Sequence, residues 1–143
     1  MNEYMNILVA VDGSSEAKLA LHKSIEMVKL EENARLHIVN IMDIFSIDED
    51  DESYLERQQQ LMEDLLNSYK AIAKEEGIDH VETHIKHGDP KVNISKELSH
   101  ELEADLIVCG AQGLKNAEHY FLGSVSEAIV FTASCDVLVV RNM

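Results

Sequence analysis

The sequence predicts an α/β domain built on an open, mostly parallel sheet with helices on both faces. Three observations lead there. Apolar runs without polar alternation, such as Asn6 to Val11 and Asp105 to Cys109, suit strands buried on both faces. Stretches with helical spacing of apolar residues separate these runs, so strand and helix alternate regularly along the chain. All six glycines fall in predicted turns and none inside an element, so local and global signals agree. With 143 residues the chain fits one domain, residues 1–143, around one core.

The first strand, Asn6 to Val11, stops at Asp12-Gly13-Ser14-Ser15. Ser14 or Ser15 then caps a helix whose apolar positions are Ala17, Ala20, Leu21, Ile25 and Val28. A second strand runs from Leu36 to Met42, and an acidic stretch, Asp43 to Ser53, reads as a solvated loop. A long helical pattern follows (Leu55, Met62, Leu65, Leu66, Tyr69, Ile72, Ala73) and ends before Gly77. Val81 to Lys86 alternates and predicts a strand with one polar face, near an edge of the sheet. Gly88-Asp89-Pro90 makes a turn in which Asp89 caps a helix carrying Val92, Ile94, Leu98 and Leu102. The buried strand Asp105 to Cys109 ends at Gly110, Ser124 to Thr132 is helical, and Val137 to Val140 is a last short strand. Crossovers between parallel strands are expected to be right-handed.

A net charge of −15 repels nucleic-acid phosphates and anionic membrane surfaces, so neither is an expected partner. No apolar run approaches the ~18 residues of a membrane span. The opening MNEYMNILVAVD has no basic leader-like region and runs straight into a core strand, so a cytoplasmic protein is expected. The two cysteines, Cys109 and Cys135, fall at opposite ends of adjacent strands. At ~3.3 Å per residue that separation is roughly 15 Å, too far for a disulfide. Reduced packing cysteines are expected.

Ligands of open α/β sheets bind beyond the carboxyl ends of the strands. Two turns carry special chemistry there: Ala10-Val11-Asp12-Gly13-Ser14 after the first strand, and Gly110-Ala111-Gln112-Gly113, nine residues, then Gly123-Ser124 after the fourth. Glycines let backbone N–H groups approach an anion. The helix starting at Ser124 offers the N–H groups of Val125 and Ser126 and its positive dipole end, which together make a phosphate site. A second reading needs no ligand: the glycines permit a tight turn, and Ser124 with Glu127 forms a capping box. Neither a G-x-x-x-x-G-K-[ST] loop nor a G-x-G-x-x-G fingerprint is present.

The spacing Gly110-x2-Gly113-x9-Gly123-Ser124 resembles that of the ATP-binding members of the universal stress protein family. The similarity spans the chain: ILVAVDGSSEA, LHIVNIMD, HGDP, and ADLIVCGAQG through GSVSEAIVFTASCDVLVVR. The resemblance implies a Rossmann-like fold with a five-stranded sheet in the order 3-2-1-4-5. It also implies a homodimer paired through the last strand, Val137–Val140, and a bound adenine nucleotide (ATP, ADP or AMP), often with a divalent cation such as Mg²⁺. Carried over by residue, Ala10, Val11, Asp12 and Ser14 resemble the turn beside adenine and ribose. Ile41 resembles an apolar contact from the second strand, and Cys109 and Gly110 the end of the fourth. Gly113, Gly123, Ser124, Val125 and Ser126 resemble the ribose and phosphate contacts. Asp12 is the candidate Mg²⁺ contact, because a carboxylate beside phosphates suits that ion; ordering the following turn is its other reading. The chain departs from the commonest pattern at Ala111 and Gln112, where Ser and His are usual, and at Leu114, where a basic residue is frequent. Losing that basic residue removes a phosphate counter-charge, which weakens triphosphate binding more than adenosine binding.

His80 and His84 are expected on one face of their strand and His87 on the other, so the three do not converge on a metal. The sequence offers no nucleophile–base pair and no G-x-S-x-G elbow. A regulatory, stress-response nucleotide-binding dimer is therefore expected. A slow Mg²⁺-dependent ATPase on the same site and an interaction module with a vestigial pocket are the alternatives.

Overall fold

The computed structural model describes residues 4–42, 52–111 and 124–141. Five strands form one sheet in the order β3-β2-β1-β4-β5, and every neighbouring pair is parallel. They are β1 (Asn6–Ala10), β2 (Arg35–Met42), β3 (Val81–His87), β4 (Leu106–Gly110) and β5 (Asp136–Val140). The predicted fold class is therefore present, with the polar strand β3 at one edge and β5 at the other.

The helices are α1 (Ser15–Val28), α2 (Glu52–Glu75), α3 (Pro90–Val92), α4 (Ser99–Glu101) and α5 (Ser124–Thr132), with a π-helical segment, Asn93–Leu98, joining α3 to α4. Period-2 alternation splits β1, β2, β4 and β5 between two cores. Ile7, Val9, Leu36, Ile38, Leu106 and Val108 face α1 and α2, where they meet Leu21, Ile25, Leu66 and Tyr69. Leu8, Val39, Ile41, Ile107 and Cys109 face the opposite side, with Ile94, Leu98 and Ile129. Val92, expected on the apolar face of its helix, is 43% exposed, because the run past it is wound wider than an α-helix.

The start of α2 differs from the sequence reading. Glu52 and Ser53, expected in the acidic loop, open α2, while the rest of that loop, 43–51, lies outside the described residues. At its other end α2 closes as predicted. Gly77 takes φ +91°, the Gly77 N–H donates to Lys74 O at 3.0 Å, and the Ile78 N–H donates to Ala73 O at 3.1 Å. That pair of bonds satisfies helix-end carbonyls and seats the buried Ile78 under the helix. Asp105 fixes the start of β1, its carboxylate accepting from the backbone N–H groups of Met5 at 2.9 Å and Asn6 at 3.1 Å. Both cysteines are free, as their positions at opposite strand ends predict.

Candidate nucleotide site at the carboxyl edge

In the order β3-β2-β1-β4-β5 the chain reverses its winding between β1 and β4, and a crevice outside their carboxyl ends is where such sheets hold ligands. The first turn is braced from three sides. The Val11 N–H donates to Val39 O at 2.9 Å, and the Val11 carbonyl accepts from Asn40 Nδ2 at 2.8 Å. Asp12 Oδ1 accepts the Ser14 N–H at 2.9 Å, and Ser14 Oγ caps α1 by accepting from the Ala17 N–H at 3.1 Å. Asp12 thus orders its own turn. Its charge also raises the pKa of the buried Tyr69 phenol, second to burial, which puts the carboxylate on the α2 side.

Asn40 was not singled out in the sequence, although a lone amide inside the apolar run LHIVNIM was the available signal. It is 5% exposed, and its Oδ1 accepts no hydrogen bond from the described residues.

The second turn starts at Gly110, the last residue of β4. A Cβ there would lie 3.0 Å from the backbone carbonyl carbon of Glu16, so the close approach of α1 favours glycine whether or not a ligand binds. Ala111 is buried; its N–H donates to Val140 O at 2.8 Å and its carbonyl accepts from Ser126 Oγ at 2.7 Å. Ser126, matched by resemblance to a phosphate contact, is itself 4% exposed, and this bond ties the first turn of α5 to the end of β4.

Among the proposed contacts, Ala10, Ile41, Cys109 and Val125 converge in one apolar cluster on the α5 side of the sheet. The Val11 side chain falls on the other face, against α1 and α2, leaving its backbone as the part nearest the turn. Burial pushes the Cys109 thiol up to about 12, so it stays protonated and contributes apolar surface. Ser124 opens α5, and Glu127 in the same turn is exposed. Gly113 and Gly123 lie outside the described residues.

The histidines rearrange the expectation. His80 and His87 are exposed, but His84 is half-buried and meets His37 of β2, a residue passed over in the sequence. Only the β2–β3 register, which sets Val39 opposite His84 and His37 opposite Glu82, reveals that encounter.

No helix among the described residues is long and apolar enough to cross a membrane. The model of the universal stress protein family matches residues 3–141. A universal stress protein of Staphylococcus haemolyticus (strain JCSC1435) is 46% identical over 145 residues, covering 99% of this chain and 87% of the relative. Among solved structures, UspA from Lactobacillus plantarum superposes with a TM-score of 0.87 at 25% identity, covering 99% of this chain and 100% of that one. A universal stress protein in complex with cAMP gives 0.75 at 25% identity, with 98% of each chain covered. One from Archaeoglobus fulgidus in complex with dAMP gives 0.69 at 23% identity, covering 97% and 99%.

Proposed function

The chain belongs to the universal stress protein family, and from that membership we propose that it binds an adenine nucleotide at the carboxyl edge of β1 and β4. It would act there as a dimeric regulatory, stress-response module of the cytoplasm rather than as a catalyst. The observation that carries this reading is that Ala10, Ile41, Cys109 and Val125 share one apolar cluster on the α5 side of the sheet, and that β1 and β4 end at Ala10 and beside Cys109. An adenine ring needs such a wall, with backbone groups beside it to read its polar edge. The Val11 N–H is taken up by Val39 O, so what the first turn would offer is the second lone pair of the Val11 carbonyl, held by Asn40, and the backbone of Asp12, whose carboxylate accepts the Ser14 N–H. The start of α5, fixed to Ala111 by Ser126, brings a positive helix end to the same edge for phosphate. That two relatives of the same fold are complexes with cAMP and dAMP supports an adenine nucleotide as the ligand class.

The residues present fit Mg²⁺ as well. That ion is held by one or two carboxylates with phosphate oxygens and water completing its shell, and Asp12 offers a carboxylate beside the turn. On a chain of net charge −15 the ion would offset repulsion of a polyphosphate. Asp12 would hold the ion while its bond to the Ser14 N–H keeps the carboxylate oriented.

Titration calorimetry of the purified chain with ATP, ADP and AMP, with and without Mg²⁺, tests the site. Gly123→Val should weaken binding at least tenfold, and ATP turnover should stay at background. Unchanged affinity in that variant, or no binding by the parent chain, rejects the site. The homodimer is read through β5, whose edge opposite β4 pairs with no strand among the described residues. Sedimentation equilibrium giving a monomer rejects it. Charged substitutions at Leu138 or Val140 are poor dimer probes, since both side chains pack against the α1–α2 core.

A further inference from the structure

At the far edge of the sheet, three side chains of the metal-ligating kinds meet. We propose that His37, Glu82 and His84 form a binding site for a first-row divalent cation of the Zn²⁺ class, joining β2 to the edge strand β3. His37 Nδ1 lies 3.1 Å from His84 Nε2 and 3.6 Å from Glu82 Oε2, and His84 Nε2 lies 3.7 Å from the same carboxylate oxygen. A tetrahedral ion with bonds of about 2.0–2.1 Å spaces its ligand atoms by about 3.3 Å. The observed triangle matches one face of that tetrahedron, so the three groups need move only by tenths of an ångström to close on an ion.

Chemistry selects the metal. Two imidazoles and one carboxylate suit Zn²⁺ and its first-row neighbours and do not suit Ca²⁺ or Mg²⁺, which take oxygen. Burial is the main cause lowering the pKa of both imidazoles, so near neutral pH they carry the uncharged, ligating form. His37 is 5% exposed, which fixes it, while the Glu82 side chain is 58% exposed and gives an ion a way in from solvent. The local field is mixed. Arg35 and Lys86 oppose a cation at His37 and His84 respectively, whereas Glu101 of α4 adds negative potential at His84. Bound metal would outweigh the single hydrogen bond the two neutral rings otherwise share.

The site is separate from the nucleotide crevice. His37, Val39 and Ile41 share one face of β2, and at about 3.3 Å per residue His37 lies roughly 13 Å before Ile41. An ion here would pin an edge strand whose outer face is polar. Because it binds the folded chain and loses its site on unfolding, it would raise the melting temperature.

The test uses the full chain, stripped with chelator and titrated with Zn²⁺ against a chromophoric competitor. The expected result is one tight equivalent per chain and a higher Tm. His84→Asn should weaken that equivalent at least tenfold, whereas the nearby exposed His87→Asn and Cys135→Ser should keep it. His84 is only half-buried, and circular dichroism is to check that its variant folds. Should His84→Asn unfold, Glu82→Gln replaces it with the same tenfold expectation. The proposal falls if the parent chain takes up no Zn²⁺ at ~100 μM, or if binding persists unchanged in a folded His84→Asn or Glu82→Gln chain.

Discussion

The side-chain amide of Asn40 reaches across from β2 to the Val11 carbonyl at 2.8 Å and holds the first turn at the end of β1. Replacing Asn40 by Ala removes that donor from a buried acceptor, and stability is expected to fall by about 1–3 kcal/mol. Urea unfolding measures this. Nucleotide titration of the same variant should show weaker binding, because the turn that positions Asp12 loses a brace. A variant as stable as the parent would mean that solvent satisfies Val11 without cost.

Gly110 and Gly77 resist substitution for different reasons, and the difference is measurable. At Gly110 an added methyl meets the Glu16 backbone at 3.0 Å, so Gly110→Ala should destabilise by about 1–3 kcal/mol through displacement of α1. At Gly77 nothing lies within 4 Å, and the cost of Gly77→Ala, about 1 kcal/mol, comes from the left-handed backbone alone. Only Gly110→Ala should also alter nucleotide affinity. Equal effects of both variants on binding would remove Gly110 from the site.

Stability of the metal-free chain should depend on His37 and His84. Both have folded pKa values below the ordinary 6.5, from burial first. For His37 the neighbouring His84 and Arg35 push the same way against Glu82; for His84, Lys86 does so against Glu82 and Glu101. The unfolded chain therefore binds more protons between the folded and unfolded values. The contribution is full above about pH 6.5 and is lost as pH falls through the lowered folded values. Urea midpoints at pH 7.5, 6.5 and 5.5 in chelator should decline, and His84→Asn should flatten the decline. The same slope in both proteins would assign it to carboxylates elsewhere.

Cys109, with its thiol pushed up to about 12 by burial, should resist alkylation at pH 8 until the chain unfolds. Cys135 is half-buried and its pKa is also raised, by burial and then by Asp105 and Asp136, so it should react slowly but first. Mass spectrometry of peptides after timed iodoacetamide treatment resolves the two. Prompt labelling of Cys109 in the native chain would contradict its place in the apolar wall.

The strands were legible because burial on both faces leaves a local trace: the apolar runs at β1 and β4 need no partner to be recognised. The order of those strands was not local information and came from the resemblance. Of the crevice, the Ser14 cap and the Asp12 turn were readable from residues within a few positions of each other. The close approach of Gly110 to Glu16 and the bond from Ser126 to Ala111 join residues distant in sequence, and no spacing announces them. The same holds for His37 and His84. They are separated by |i−j| = 47, and one shifted residue in the β2–β3 pairing would put them on opposite faces.

The Ser126–Ala111 bond has a consequence for how this fold tolerates change. Ala111 at the end of β4 and Ser126 in the first turn of α5 are fastened to each other, so the folded scaffold already holds both ends of the connection between these elements. Lengthening that connection should cost little, about 0.6 kcal/mol per doubling, and should move neither the end of β4 nor the start of α5. Insertions between β4 and α5 are thus expected to leave the frame on either side unchanged.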